Sequence, residues 1–272
     1  MACTFGTATR RQPGPSKFPA HEMRSARHVQ ASLMPRSLPR MRSLEYAGCS
    51  LPGRAVGGDL YDFLTPRPGR LALILGDISG KGVPAALMMA ALQSSLRSHY
   101  AVSQSTLERK IESVNRLFFE CTATEHYASL FAGEYDDASG RLRYANCGHV
   151  PPLIVPEDLG VTRLLPTATL LGLFEKWSGR VGEVTLNPGD TLVLATDGIL
   201  EATSPQGQEL GEGRLIAVVR RCRDLPPTEL IREIIGEIQR FTGNRPALDD
   251  QTVVVARVRT AANGFVRCNG DR

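Results

Sequence analysis

The sequence predicts an α+β fold, a four-layer α-β-β-α sandwich of two antiparallel sheets flanked by helix pairs. Three observations predict it. Strand-like alternation dominates the chain, pairs of helical patterns interrupt it twice (83–96 with 106–120, and 211–222 with 226–242), and one more strand, 252–258, closes it. Sheets that bury one face and helices that bury one stripe satisfy both by packing sheet on sheet and covering each outer face with helices. The sequence contains no internal repeat and no mid-chain linker, so one main domain, 44–259, accounts for it.

Taken in order, residues 1–20 contain Pro13, Gly14, Pro15 and Pro19 without periodicity and are expected to form a disordered basic leader. A lead-in helix is predicted from His21 to Met34, where Ala26, Val29, Leu33 and Met34 recur at three- and four-residue spacing and Pro35 stops the pattern. An extended linker carries the chain to residue 43. Strands are predicted at 44–50, 58–64 and 71–78, the last two joined by a turn around Pro66-Arg67-Pro68-Gly69. In that hairpin Asp59 begins one arm and Asp77 ends the other, which makes them neighbours in an antiparallel pair.

The run Val83 to Leu96 is apolar nearly all round, the mark of a helix buried on several sides. Thr106 is the N-cap candidate of the next helix, whose stripe is Leu107, Ile111, Val114, Leu117 and Phe118. Alternation resumes at 127–135 and 141–146 across the turn Asp136-Asp137-Ala138-Ser139-Gly140. Further strands fit 151–155, 181–186 and 190–196, the last following the turn Asn187-Pro188-Gly189-Asp190. The helix 226–242 turns Ile231, Ile234, Ile235, Ile238 and Phe241 inward, and residues 260–272 read as a flexible tail.

Composition narrows the class. A hydrophobic content of 42% suffices for a core, while no apolar run approaches the roughly 18 residues of a membrane span and no secretory segment opens the chain. A soluble cytoplasmic protein is therefore expected. The cysteines at 3, 49, 121, 147, 222 and 268 form no C-x-x-C pair, which predicts free thiols and argues against a disulfide framework or zinc. Residues 1–43 carry eight Lys or Arg against one acid, Glu22, and the remainder 24 against 27. Such a basic arm meets anionic partners in general, but no aromatic side chains interleave its arginines to stack on bases, so no nucleic-acid partner is expected.

Four aspartates, Asp59, Asp77, Asp197 and Asp249, lie at strand ends beside glycine or a second acid, in Gly57-Gly58-Asp59, Gly76-Asp77-Ile78, Thr196-Asp197-Gly198 and Asp249-Asp250. Mg²⁺ and Mn²⁺ demand clustered oxygen ligands, and a fold that gathers these acids would supply them. Each close pair of carboxylates would repel by about 4 kcal/mol at an effective dielectric near 20, a cost that bound cations relieve. Gly57, Gly58, Gly76 and Gly198 are expected to let the backbone approach a metal or its waters without a Cβ in the way. Asp136, Asp137 and Asp190 read instead as turn residues.

Five segments carry a resemblance: Gly57-Gly58-Asp59-Leu60-Tyr61-Asp62-Phe63, Gly76-Asp77-Ile78-Ser79-Gly80-Lys81-Gly82, Asn146-Cys147-Gly148-His149-Val150-Pro151-Pro152, Thr196-Asp197-Gly198-Ile199-Leu200-Glu201 and Asp249-Asp250-Gln251-Thr252. In order and spacing they resemble the motifs of the metal-dependent (type 2C-like) protein phosphatases, in the bacterial sporulation (SpoIIE) branch that dephosphorylates regulators of sigma factors. The resemblance runs from about residue 22 to 258, and the leader Ala26 to Arg36 is similar to that branch's lead-in helix.

The resemblance implies two Mn²⁺ or Mg²⁺ ions. Asp77 would bridge them, Asp59 and the Ile78 backbone carbonyl would complete one site, and Asp197 with Asp249 the other, Asp250 being the alternative to Asp249. A water would attack phosphoserine or phosphothreonine on a regulatory protein, an anti-sigma-factor antagonist, without a covalent enzyme intermediate. Where type 2C members carry a histidine two residues after the bridging aspartate, this chain has Ser79, and where branch relatives often have histidine it has Lys81. Protonation of the leaving group is thus left to Lys81, to a metal-bound water or to nothing. Cys147 replaces the branch's usual alanine.

His149 is a candidate general acid by type, although the Gly-His-x-Pro-Pro setting reads as structural. Arg54 is either a bidentate phosphate ligand or a plain surface arginine. Glu201 orients or caps the loop after Asp197. The branch's helices after the bridging aspartate resemble a switch, and with no room for a folded sensor before residue 22 the expectation is a separate activator docking on residues 21–43, or constitutive activity. The alternative to an enzyme is a catalytically silent phosphoprotein-binding module of the same fold.

Overall fold

Alternation along the strand Arg70–Ile78 decides the architecture: Leu71, Leu73 and Leu75 enter one core while Ala72 and Ile74 enter another, because successive strand side chains point to opposite faces. A strand apolar on both faces needs a layer on each side. The computed structural model, which describes residues 19–102, 105–122, 126–157 and 160–260, supplies them. Its elements in chain order are α1 (Ala20–Leu33), β1 (Leu44–Leu51), β2 (Leu60–Arg67), β3 (Arg70–Ile78), α2 (Val83–Val102), α3 (Leu107–Cys121), β4 (Ala128–Asp136), β5 (Arg141–Cys147), β6 (Leu153–Val155), β7 (Thr162–Arg163), β8 (Gly182–Thr185), β9 (Thr191–Ala195), α4 (Asp197–Leu200), α5 (Gly211–Arg221), α6 (Pro227–Thr242) and β10 (Gln251–Val258).

The strands form two five-stranded sheets, β2-β3-β4-β5-β8 and β1-β10-β9-β6-β7, with antiparallel pairing throughout. Tyr46, Phe63, Phe131, Tyr135, Leu192 and Val254 interdigitate between the sheets. Met89, Leu92 and Leu96 of α2 with Ile111, Val114 and Phe118 of α3 cover the first sheet. Leu215 and Val218 of α5 with Ile231, Ile234 and Ile238 of α6 cover the second. Each such fully buried side chain contributes about 1.5–3 kcal/mol, so the three cores, not the turns, hold the expected α-β-β-α layering.

Local signals behave as their chemistry dictates. Thr106 caps α3 by accepting the Arg109 N–H, and Gly140 closes the β4–β5 turn at φ +68°, a conformation glycine adopts without a Cβ clash. The expected turn residue Asp137 reaches further: its carboxylate accepts the Arg42 and Ser43 N–H groups, both at 2.8 Å, and so fastens the linker to the hairpin. The two-residue β7 and the single turn α4 lie below the length at which periodicity is readable.

The lead-in helix departs most from expectation. Its one buried residue is Gln30, whereas Val29 of the expected stripe is 60% exposed and Leu33 and Met34 are only partly covered. The reason is position: α1 lies across a loop and the flank of α2 instead of on a sheet, so it meets polar backbone. Among the described residues no helix is long and apolar enough to cross a membrane, and Cys49, Cys121, Cys147 and Cys222 are free thiols. The expected leader up to residue 18, the tail from 261, Cys3 and Cys268 lie outside the described residues.

Candidate metal centre

The hairpin register pairs Leu60 with Gly76, which sets Asp59 and Asp77 side by side at one end of the first sheet. In the second sheet Val253 pairs with Ala195, which brings Asp197, after β9, and Asp249-Asp250, before β10, to that sheet's corresponding end. Hydrogen bonds from Thr196 to Asp59 at 2.9 Å and from the Gly58 N–H to Asp250 at 2.7 Å show that the two ends meet. Burial pushes the Asp77 carboxyl up to about 7, with Asp197 and Asp249 adding to the rise and a hydrogen bond with Asp59 opposing it. Asp59, 4% exposed, is held well above the usual carboxylate range by burial and by Asp77, against the pull of the Thr252 and Thr196 hydroxyls. Carboxylates from both sheets thus feel one another in a weakly hydrated cleft.

The adjacent acids separate by their partners. Asp250 accepts the Gly53 N–H at 2.8 Å and the Gly58 N–H at 2.7 Å. A Cβ on Gly57 would fall 2.0 Å from its Oδ2, and one on Gly198 would fall 2.0 Å from its backbone oxygen. These glycines therefore make room for Asp250, which corrects the expectation that they clear space for a metal. Asp249 is tied only locally: it accepts the N–H of the adjacent Asp250 at 3.0 Å, and its side chain is 42% exposed and pairs with Lys81 Nζ at 2.5 Å. Gly58 differs from the other two. A Cβ there would stand 3.0 Å from the Ile78 carbonyl oxygen, so its absence leaves room beside that oxygen next to Asp59.

The remaining predicted residues fall into place unequally. Lys81 also donates to the Leu248 carbonyl at 3.2 Å, which ties the loop after β3 to the segment before β10. Ser79 is a fastener: its hydroxyl accepts the Tyr127 N–H at 2.9 Å and its own N–H donates to the Tyr127 carbonyl. Arg54, in the loop that carries Gly53, is exposed and has no ion pair among the described residues. Glu201 caps α4 through its backbone N–H, 2.7 Å from the Asp197 carbonyl. His149 is 2% exposed, with Nδ1 at 2.9 Å from the Ser129 hydroxyl and its value pushed down to about 4 by burial. Its partner Ser129 lies on the strand next to Asp77's, on the same face of the sheet, since Ser129 is Asp77's register partner.

Two residues of the site escaped the sequence reading. Thr196 donates its hydroxyl to Asp59 Oδ2 at 2.9 Å; its place beside Asp197 was the available signal. Gln30 grips Gly57 from α1, and nothing in a polar residue on an amphipathic helix announces such a role.

Residues 67–259 match the family model described as Stage II sporulation protein E (SpoIIE). The chain belongs to the SpoIIE family. Among curated SpoIIE relatives, Protein IcfG of Synechocystis sp. is 30% identical over 251 residues, covering 80% of this chain and 40% of that protein. Phosphoserine phosphatase RsbU of Bacillus subtilis is 24% identical over 189 residues, covering 68% and 55% respectively. The chain spans about half the length of the curated relatives it matches. A structure of the RsbU and RsbW domains of a Mycobacterium tuberculosis protein superposes with TM-score 0.72 at 27% identity, over 84% of this chain and 63% of that one. The SiaA-PP2C domain of Pseudomonas aeruginosa shares the fold at TM-score 0.76 and 20% identity, over 87% and 96%.

The donors of this SpoIIE-family site suit hard divalent cations. They are carboxylate and carbonyl oxygens with no thiolate or imidazole among them, the set that favours Mg²⁺ or Mn²⁺ over zinc. Among the described residues no three His, Cys, Asp or Glu side chains converge to coordination distance, and Asp249 faces Lys81. The Cβ-free approach at Gly58, beside Ile78 O, and two neighbouring acids both pushed upward, chiefly by burial, nonetheless fit a cation between β2 and β3.

Proposed function

We propose that this SpoIIE-family chain is a metal-dependent protein serine/threonine phosphatase that hydrolyses phosphoserine or phosphothreonine on a regulatory protein of the anti-sigma-factor antagonist class. The observation that carries the reading is the meeting of acids from both sheets at one end of the sandwich: Asp59 and Asp77 side by side in the β2–β3 hairpin, with Asp59 held by Thr196 and the Gly58 N–H held by Asp250 from the second sheet. Such a cluster is a liability in a fold unless cations use it. The names of RsbU and RsbP, phosphoserine phosphatases, support the reaction class.

In this reading Asp77 would be shared by two ions, with Asp59 and the Ile78 carbonyl available to hold one, and Asp197 and Asp249 the other. Asp249 is preferred to Asp250, the alternative, because the Asp250 carboxylate already accepts the Gly53 and Gly58 N–H groups from a distant loop. Divalent cations there would polarise the phosphoryl group and lower the pKa of the attacking water. Thr196 fixes the Asp59 carboxylate in orientation through its 2.9 Å hydrogen bond. Arg54, exposed and without an ion pair among the described residues, would take the substrate phosphate by its paired N–H groups. Lys81 would hand a proton to the serine or threonine alkoxide once its pairing with Asp249 loosens, a metal-bound water or no group at all being the alternatives. A separate protein acting on residues 21–43 would reach the site through α1.

Phosphate release from phosphoserine peptides with Mn²⁺, and with excess chelator, tests the reading. Turnover that needs Mn²⁺ is expected; turnover that persists in chelator would contradict it. Absence of Mn²⁺ binding at millimolar concentration would favour the silent phosphoprotein-binding module.

A further inference from the structure

The lead-in helix is joined to the body by a few polar contacts that bracket one candidate ligand. Gln30, the one buried residue of α1, donates from Nε2 to the Gly57 carbonyl at 2.6 Å and accepts the Gly57 N–H on Oε1 at 3.0 Å. Gly57 thereby has both backbone groups tied to one side chain. On its other flank stands the Asp250 carboxylate, which also holds the Gly58 N–H. The next residue is Asp59. A Gly-Gly pair has no side chains to fix its path, so the conformation that delivers Asp59 is set by Gln30 on one side and Asp250 on the other.

A second anchor lies at the end of α1. The Leu33 carbonyl accepts Arg97 at 2.6 Å and Gln93 at 3.1 Å from α2. Those same two side chains hold the buried Asp62 of β2, at 2.6 and 3.3 Å. The helix is therefore fastened on both sides of Asp59, at Gly57 and at Asp62. Between the anchors it is not close-packed. A cavity of about 320 Å³ lies along it, lined by Gln30, Met34, Cys49, Asp59 and Tyr61 among others, and Val29 points outward. An element with little apolar burial and a hollow beside it is drawn from the low-stability end of a fold.

We infer that Gln30 is a positioning residue for the metal site: with α1 docked it locks Gly57 and so places Asp59, and with α1 released that ligand loosens. The consequence for catalysis rests on the phosphatase reading, whereas the effect on metal binding does not. Undocking α1 would thus weaken the site without touching any residue in it, which is how a protein acting on residues 21–43 could govern it.

The test compares the whole chain with its Gln30→Met variant, which keeps side-chain length and loses both hydrogen bonds, and with Gln30→Asn, the milder change should the first fail to fold. Val29→Ala, on the exposed face of the same helix, is the control. Mn²⁺ affinity is read by calorimetry, and backbone exchange over Gly57-Gly58-Asp59 by mass spectrometry. Loss of a side chain that orients a metal ligand is expected to weaken Mn²⁺ binding by about tenfold or more, with faster exchange in that segment, an unchanged main thermal transition and a silent control. Faster exchange with unchanged Mn²⁺ affinity would overturn the inference, leaving Gln30 a mere fastener of α1. If the parent chain binds Mn²⁺ yet hydrolyses no phosphoester, the phosphatase reading falls alone; if it binds none, both fall.

Discussion

Lys81 lies with its ammonium against the Asp249 carboxylate, so a protein cation sits on an acid that the proposed chemistry assigns to a metal. Both side chains are 42% exposed, and pairs of that kind are worth about 0–1 kcal/mol. The contact is weak enough to yield to a divalent ion. It also tethers the loop after Asp77 to the segment that carries Asp249.

Removing that competitor should favour the metal. Lys81→Met is expected to tighten Mn²⁺ binding by about threefold to fivefold, the value of one exposed pair. If Lys81 also protonates the leaving group, kcat falls in the same variant while metal affinity rises. Titrating activity against Mn²⁺ separates the two effects.

Asp249 and Asp250 should behave oppositely. Asp250 accepts two backbone N–H groups, so Asp250→Ala is expected to cost about 2–4 kcal/mol of stability in urea unfolding. Asp249→Ala, which breaks an exposed pair and one hydrogen bond from the adjacent Asp250 N–H at 3.0 Å, should lower the urea midpoint by less than Asp250→Ala does and abolish Mn²⁺-dependent turnover. Equal destabilisation by the two variants would refute this division.

A site built on repulsion is stabilised by its own destruction. Burial and the neighbouring acids push Asp77 up. In chelator, therefore, Asp77→Asn should unfold at a higher urea concentration than the parent, by about 1 kcal/mol or more. The same variant should lose Mn²⁺-dependent hydrolysis. A less stable variant would show that Asp77 has a structural partner the cleft conceals.

His149 predicts an acid limb of the stability curve. Its value is pushed down to about 4 from 6.5 by burial, so between those values the unfolded chain holds more protons than the fold. Its contribution is complete above pH 6.5 and is lost as pH falls toward 4, by about 3 kcal/mol at most. Asp59 and Asp77, pushed upward, slope the opposite way. Subtracting the profile of His149→Gln from that of the parent isolates the histidine, and a flat difference would contradict its buried neutral state.

The layers of the fold were legible because they rest on repetition. Leu71, Leu73 and Leu75 alternate with Ala72 and Ile74, and Ile231, Ile234 and Ile238 recur at helical spacing. The acids were legible as candidates because each sits beside glycine or a second acid at a strand end. What separates Asp249 from Asp250 was not legible. That difference depends on which backbone N–H groups a distant loop presents, and Gly53 lies 197 residues from Asp250. Gln30 was hidden for a related reason: an amphipathic pattern marks apolar faces, and this helix docks through an amide onto backbone.

The most direct test of the central claim is anomalous diffraction from crystals grown with Mn²⁺. The account predicts two peaks about 3.5–4 Å apart on either side of Asp77, one reached by Asp59 and the Ile78 carbonyl, the other by Asp197 and Asp249 after Lys81 has moved away. No peak in the cleft at saturating Mn²⁺, or a peak coordinated by Asp250 in place of Asp249, would contradict it.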